Sequence, residues 1–413
     1  MKKYQTRIFF VWVLVWLIEL YFYQAASQTI LEKGSQGLVH SLLYPYLFSI
    51  DYTAFICVLS SVYPVRKWKK FFRIYATGLA AVFVIGKALG VMMLMLDDLV
   101  RLLKAGYGAV SNFDHVSLAR IPLFSHLAVL IASFFVCLLI FGMFVGPGRI
   151  KVRRKKIGLH KLPKHFDGLR IAHISDLHIG TFASKNTIRK IVDKLLDEKP
   201  DVVFFTGDLV NNRATEVLPF FDELKRMQAP DGIFSVLGNH DYGDYVDWET
   251  PEMRNANLEH LIDLERSLGW KVLLNENIQL GTGNDMISIV GVENWGARRG
   301  FQKYGDLHVA YAGADIAPVT LLLSHDPSHF EHVVQKEFRQ IDITFSGHTH
   351  GFQFGFERGH FKWSPSRWLY RDWIGLCKYE NQYLYVNRGL GMLGYPGRVG
   401  IYPEIAIITL VKR

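Results

Sequence analysis

Apolar residues are divided unevenly along this chain, and that division limits its architecture more than any other feature. Before Pro147 lie four stretches, Ile8 to Ala26, Leu38 to Val62, Phe72 to Leu96 and Leu123 to Val145. Each approaches or reaches the roughly 20 apolar residues that cross a bilayer core as a helix. After Pro147, short apolar runs alternate with polar helix-like segments and glycine turns. A length of 413 residues leaves room for more than one domain. We therefore expect a transmembrane region of about four helices over residues 1–148, a basic linker over 149–164 and a folded domain over 165–413.

Charge supplies an orientation. Lys2, Lys3 and Arg7 precede the first span, a basic run from Arg66 to Arg73 separates the second from the third, and Arg149 to Lys156 follows the fourth. The loops around Glu32-Lys33 and from Asp97 to Arg120 mix both signs. The positive-inside rule then predicts a multi-pass protein of the cell (inner) membrane with both termini and the C-terminal half cytoplasmic. Cleavage of a signal peptide at Ala25-Ala26-Ser27 would leave three spans and the same sidedness. Glu19, Asp51 and Lys87 lie inside the spans, where a charge either faces the bundle interior, as in a polar path, or snorkels to the interface. The net charge of +9 sits largely beside the spans, which suits anionic lipid headgroups and argues against nucleic acid. Only Cys57, Cys137 and Cys377 occur and no CxxC, so a disulfide framework and a thiolate metal site are excluded. Protein partners stay open.

In the second half, strands are expected at Leu169 to Ser175, Asp201 to Thr206, Gly232 to Leu237, Met286 to Val292, Val319 to Leu323, Ile341 to Ser346, Gln382 to Val386 and Glu404 to Val411. Helices are expected at Ser184 to Glu198, Glu216 to Met227, Leu258 to Leu268 and Ser328 to Phe338, with a loop or small lid from Tyr242 to Asn257. Such alternation implies an α/β fold with largely parallel sheets covered by helices.

Five clusters follow predicted strands: Asp176-Leu177-His178, Gly207-Asp208, Gly238-Asn239-His240-Asp241, Ser324-His325-Asp326 and Gly347-His348-Thr349-His350. Ligands in open α/β sheets bind at the carboxyl ends of strands, so these side chains should share one edge. An extended segment puts alternate residues on one face, which would pair Asp176 with His178 and His348 with His350. Asp208 has two oxygens able to bridge two ions, and Asn239 offers a neutral oxygen. Oxygen and nitrogen donors without sulfur favour manganese, iron or zinc, while so many imidazoles disfavour magnesium. A divalent metal pair can clamp the attacking and leaving oxygens of a displacement at phosphorus. His240 stands beside a ligand without being needed as one, as a general acid would, and Asp241 could orient it or a ligand.

Taken singly, these motifs are weak. A DxH or HxH occurs in many chains, and a lone histidine after a strand is more often a hydrogen-bonded core residue. The ordered series carries the signal. His173, His308, His329, His332 and His360 lack such a setting and read as structural, and Asp326 as a turn or supporting residue. The aromatic stretch Phe352 to Trp373 either shapes an apolar pocket or packs.

Together, Asp176-x-His178, Gly207-Asp208, Gly238-Asn239-His240-Asp241, His325 and Gly347-His348-x-His350 resemble the calcineurin-like metallophosphoesterase superfamily, from about Phe166 to the C-terminus. Gly347 to Gly351 and Asn387-Arg388-Gly389-Leu390-Gly391 are similar to its bacterial membrane-associated branch. The resemblance implies a four-layer α/β/β/α sandwich. It also implies one ion held by Asp176, His178, Asp208 and His350, a second held by Asp208, Asn239, His325 and His348, and His240 as the catalytic histidine.

The expected function is a membrane-anchored phosphoesterase cleaving a phosphodiester, pyrophosphate or phosphomonoester at the cytoplasmic face. Its substrate would be a phosphorylated small molecule or a lipid, since anchoring concentrates it on membrane lipids. A non-catalytic membrane scaffold or sensor is the alternative, and a transporter using Glu19, Asp51 and Lys87 a weaker one.

Overall fold

The computed structural model describes residues 2–31, 36–62, 70–111, 117–283, 285–359 and 361–413. The expected basic positions Arg66, Lys67 and Lys69, together with Glu32, Lys33 and His360, lie outside them. Two compact units emerge, Met1–Gly142 and Met143–Arg413.

In the first unit the described residues form helices α1 (Lys2–Leu31), α2 (Gln36–Val62), α3 (Lys70–Ser111) and α4 (Pro122–Phe144). Three helical stretches among the described residues are long and apolar enough to cross a membrane: Phe10–Gln28, Phe72–Val110 and Pro122–Gly148. In α2 the apolar stretch Pro45–Leu59 is shorter. α3 continues well past the expected end at Leu96, because the following residues are strong helix formers and Asp98 pairs with Arg101 at 2.8 Å one turn on. Two of the charges expected inside the spans answer each other: Lys87 Nζ lies 2.6 Å from Glu19 Oε1, and each side chain is 5% exposed. Asp51 is exposed on α2.

The second unit owes its layers to residue alternation. In Val202-Val203-Phe204-Phe205, Val202 and Phe204 enter one apolar cluster while Val203 and Phe205 enter another. Such a strand is buried on both faces and must lie between two layers. Strands β1 (Lys151–Leu159), β2 (Arg170–Ile174), β3 (Val202–Phe205), β4 (Ile233–Ser235), β5 (Lys271–Val272), β6 (Glu276–Thr282), β7 (Asp285–Gly291), β8 (Thr320–Leu323), β9 (Ile343–Ser346), β10 (Phe356–Arg358), β11 (Phe361–Trp363), β12 (Gly375–Tyr379), β13 (Gln382–Val386) and β14 (Glu404–Lys412) follow in order. One six-stranded sheet has the order β1-β14-β2-β3-β4-β5, the other β12-β13-β9-β8-β7-β6, and β10 and β11 form a separate hairpin. β2, β3 and β4 run parallel, as do β7, β8 and β9.

The cluster between the sheets joins Ile171, Phe204 and Phe234 of the first to Ile289, Leu321 and Phe345 of the second. Outside the first sheet lie α5 (Lys185–Asp197), α6 (Phe221–Lys225) and α7 (Pro251–Ser267); outside the second lie α8 (Leu307–Tyr311), a π-turn at Phe330–Val334 and α9 (Gln335–Glu337). The result is the expected four-layer α/β/β/α order. α5 starts where Ser184 accepts a hydrogen bond from the Asn186 amide, and its buried face is Ile188, Ile191, Val192 and Leu195.

Three expectations fail for identifiable reasons. The stretch expected to be a basic linker contains β1, which pairs parallel with β14 along its length. Its lysines and arginines mark an edge strand, where charge blunts further pairing. The helix expected from Glu216 to Met227 is broken at Pro219 into short turns and α6. The loop after the third cluster ends early, because Thr250 caps α7 and Pro251 occupies its first turn.

Candidate metal centre

All seven expected ligand residues lie just beyond strand ends. Asp176 and His178 follow β2, Asp208 follows β3, Asn239 follows β4, His325 follows β8, and His348 and His350 follow β9. The edges of both sheets therefore contribute. Asp176, His178 and His350 present their ligand atoms within 4.8 Å of one another, and so do Asp208, His325 and His348. In the first group Nε2 of His178 faces Nε2 of His350 at 3.0 Å, and Asp176 Oδ1 lies 3.3 Å from His350. In the second, Asn239 Oδ1 lies 3.1 Å from His325 Nε2 and 2.8 Å from His348 Nδ1. Asp208 joins the groups: its Oδ2 is 3.4 Å from His178 Nε2 and 3.3 Å from His325 Nε2.

The route to this convergence differs from simple strand alternation. Asp176 and His178 have φ of 49° and 41°, and His348 and His350 have 69° and 49°. Left-handed turns, rather than extended pairs, aim these side chains, and His348 and His350 go to different groups. Leu177 still enters the core as expected. Short hydrogen bonds hold the turns: Asp176 N donates to Gly207 O at 2.9 Å, His178 N to Asp208 O at 3.0 Å and Gly391 N to Asp176 O at 2.7 Å. Gly207, with φ +86°, has no room for a side chain because a Cβ would strike the backbone of Gly238.

Electrostatics prepare the donors. Burial pushes His178 down to about 3 and His348 to about 4, and it holds His350 well below the usual imidazole range, assisted by His178 and Arg398. A neutral ring is the form that binds metal. Burial also resists protonation of His325, but the Asp208 carboxylate beside it raises the ring to about 10. Asp208 in turn stays well below the carboxylate range despite its burial. Burial, reinforced by Asp208, raises Asp176 to about 6.

The donor set fits two divalent ions. Ligand atoms about an ion at roughly 2.1 Å stand about 3.0–3.4 Å apart, and the spacings above fall in that range except the 2.8 Å between Asn239 and His348. All are oxygen or nitrogen, which suits manganese, iron or zinc.

His240 stands beside both groups. Its Nδ1–H donates to Asn211 O at 2.8 Å, which leaves Nε2 free, and its ring packs edge-on to His178 and against Tyr245. Asp241 does not orient it. The Asp241 carboxylate is buried and accepts from the backbone amides of Asp208 and Gly238, each at 2.8 Å, and of Val210 at 3.2 Å. It holds the turns that carry Asp208 and Asn239, the second of the two roles expected of it.

Sequence reasoning missed several supports. Tyr245 OH accepts from Asn239 Nδ2 at 2.8 Å, which turns the amide oxygen toward the histidines. Tyr370 OH lies 2.8 Å from His348 Nε2, and Asp326, expected as a turn or supporting residue, has Oδ2 at 3.5 Å from the same nitrogen. Thr206 O accepts from His325 Nδ1 at 2.7 Å. Only the aromatic density of their surroundings hinted at the tyrosines. Two of the histidines read as structural behave so: buried His173 bonds Thr206 Oγ1 at 2.9 Å and His329 bonds Ser324 Oγ at 2.9 Å.

Comparison with known proteins agrees with this geometry. Residues 169–352 match the calcineurin-like phosphoesterase family, and residues 6–147 match the probable calcineurin-like phosphoesterase transmembrane domain. A metallophosphoesterase of Helicobacter pylori is 29% identical over 274 residues, covering 66% of this chain and 67% of its own. A transmembrane protein with metallophosphoesterase domain from Danio rerio is 28% identical over 280 residues, covering 66% of this chain and 60% of its own. The UDP-2,3-diacylglucosamine pyrophosphatase LpxG of Chlamydia trachomatis is 29% identical over 294 residues, covering 59% of this chain and 84% of its own. The chain therefore joins a calcineurin-like phosphoesterase domain to a transmembrane phosphoesterase domain, the make-up of a membrane-associated phosphoric ester hydrolase.

Proposed function

We propose that this chain is a dinuclear-metal-dependent hydrolase of a lipid-linked phosphodiester or pyrophosphate, working at the cytoplasmic face of the membrane that anchors it. The carrying observation is the position of Asp208 Oδ2, 3.4 Å from His178 and 3.3 Å from His325, because a carboxylate shared by two donor groups suits a paired-ion site. Asp176, His178, Asp208 and His350 would hold one ion, and Asp208, Asn239, His325 and His348 the other. Bound cations would act as Lewis acids on the phosphoryl oxygens and lower the pKa of water.

The chain's own residues supply the rest. Asn211 O fixes the His240 ring through Nδ1, so a proton carried on Nε2 can be given to the leaving oxygen. General acid catalysis of this kind contributes about 10² to 10⁴ in rate. Tyr245 and Tyr370 hold Asn239 and His348 in the orientation that ion binding requires. A free Nε2 beside the donor groups has no use in a scaffold, which speaks against the non-catalytic alternative. Support for a lipid-linked substrate comes from the transmembrane match and from the LpxG relative, whose name specifies a diacylated sugar nucleotide pyrophosphate. The basic residues flanking the spans support the cytoplasmic orientation.

The test is hydrolysis of bis(p-nitrophenyl) phosphate by the full chain with Mn²⁺, compared with Asp208→Ala. Loss of turnover together with loss of bound metal is expected; full activity in the variant rejects the site.

A further inference from the structure

Directly after the metal-binding turn, the chain carries an apolar surface that neither the core nor the metal centre uses. β10 and β11 make a three-pair antiparallel hairpin, Phe356 opposite Trp363 and Arg358 opposite Phe361. Phe356 and Phe361 stack at 5.2 Å and are 48% and 59% exposed. Phe356 also reaches Trp363 at 6.1 Å, and Trp363 meets Trp368 edge-on at 5.9 Å. Trp368 is 72% exposed and the next residue, Leu369, 44%. A contiguous exposed apolar patch of this kind marks an interaction surface. Arg358, Lys362 and Arg367, all exposed, are interleaved with these residues. Aromatic side chains mixed with arginine and lysine are the composition of elements that lie in a lipid headgroup region, where basic residues meet anionic lipid.

Two further facts select a bilayer over a protein partner. The chain spans a membrane, and only six residues, Val145 to Ile150, separate α4 from β1. Even fully extended, that connection reaches about 25 Å. The hairpin is fastened to the start of β1, where Glu357 accepts from Arg153 at 2.5 Å, and to the turn after β13, where it accepts from Arg388 at 2.9 Å. The patch is thus tied to a strand that cannot travel far from the bilayer, while only Gly351 to Gly355 separate the hairpin from His350.

We propose that the β10–β11 hairpin, with Trp368 and Leu369, docks on the surface of an anionic bilayer and so presents the metal centre to a phosphoester anchored in that bilayer. The substrate half of this inference rests on the function proposed above; the docking half does not.

The experiment places a nitroxide at Phe361→Cys in the full chain, with Cys57, Cys137 and Cys377 replaced, in vesicles of phosphatidylcholine and phosphatidylglycerol. Collision with oxygen is expected to exceed collision with a water-soluble nickel chelate, and the reverse is expected at a label on exposed Lys336. A label at position 361 as open to nickel as that at 336 overturns docking. So does shielding from both reagents, which would assign the patch to a protein or a second copy. In the same vesicles the triple variant F356S/F361S/W368S should cleave a lipid-anchored pyrophosphate at least about tenfold more slowly, with bis(p-nitrophenyl) phosphate turnover within about twofold. Unchanged lipid turnover overturns substrate presentation. If the unmodified chain cleaves neither substrate, the phosphoesterase reading fails while the depth measurement still decides docking.

Discussion

Gly389 and Gly394 have nearly the same left-handed backbone, φ +69° and +70°, in different surroundings. A Cβ on Gly389 would stand 2.7 Å from Asp176 Cβ and 3.3 Å from His350 Nδ1, whereas one on Gly394 meets nothing within 4 Å. Carbon atoms rest about 3.5–4.0 Å apart, so Gly389→Ala must displace Asp176 by roughly 1 Å. The carboxylate has little freedom to yield, since it accepts from His348 N at 2.9 and 3.0 Å. Both alanines carry the same left-handed penalty of about 1–2 kcal/mol, so comparing them isolates the contact. A 1 Å displacement in a catalytic constellation costs about 10² in rate. We expect Gly389→Ala to lose about that factor in kcat on bis(p-nitrophenyl) phosphate, and to bind one ion weakly by elemental analysis. Gly394→Ala should stay within about threefold of the parent while losing similar thermal stability. Equal loss of activity in both variants, or none in Gly389→Ala, would refute the reasoning.

Other perturbations separate the roles of neighbouring groups. His240→Ala should lower kcat by about 10² to 10⁴ with metal content unchanged, because His240 is not among the donors; metal loss by elemental analysis would reassign it. Tyr245→Phe frees the Asn239 amide to rotate and should weaken the second ion by about 10- to 100-fold in a chelator competition. His325 is raised to about 10 in the metal-free chain. Its proton therefore stabilises that state fully below the unfolded value near 6.5 and is lost as pH rises through 10. Since an entering ion must displace this proton, apparent metal affinity should climb by up to about tenfold per pH unit between pH 7 and 9. Asp208→Asn should flatten that slope, and an unchanged slope would show that the proton resides elsewhere.

Sequence was most informative where one physical rule acts over a short distance. Alternation in Val202 to Phe205 and the helical spacing of Ile188, Ile191 and Leu195 placed sheet and helix, and the donor clusters announced themselves by falling after strands. It was least informative where distant groups decide. β1 looked like a linker because most of its lysines and arginines are exposed and only its pairing with β14 makes it a strand. The role of Asp241 stayed open between His240 and a ligand, because nothing local shows that three distant or turn amides claim its oxygens. Tyr245 and Tyr370 were unreadable as supports, since nothing local ties a tyrosine to a ligand six or twenty-two residues away.

Five of the seven donor residues, Asp176, His178, Asp208, His348 and His350, have left-handed backbones. Each such residue costs about 1–2 kcal/mol, less for aspartate, so the centre carries several kcal/mol of strain. The strain persists because each turn leaves the end of a buried strand and is held by hydrogen bonds such as Asp176 N to Gly207 O and Gly347 N to His325 O. A centre held this way differs from small metal domains that fold only on binding their ion. Here the sheets, rather than the ions, place the donors. Removing metal with a chelator should therefore abolish hydrolysis while leaving the far-ultraviolet circular dichroism and the cooperative thermal transition in place, and readdition should restore activity without a refolding lag. Collapse of the thermal transition on chelation would instead show that the ions hold the strand ends together.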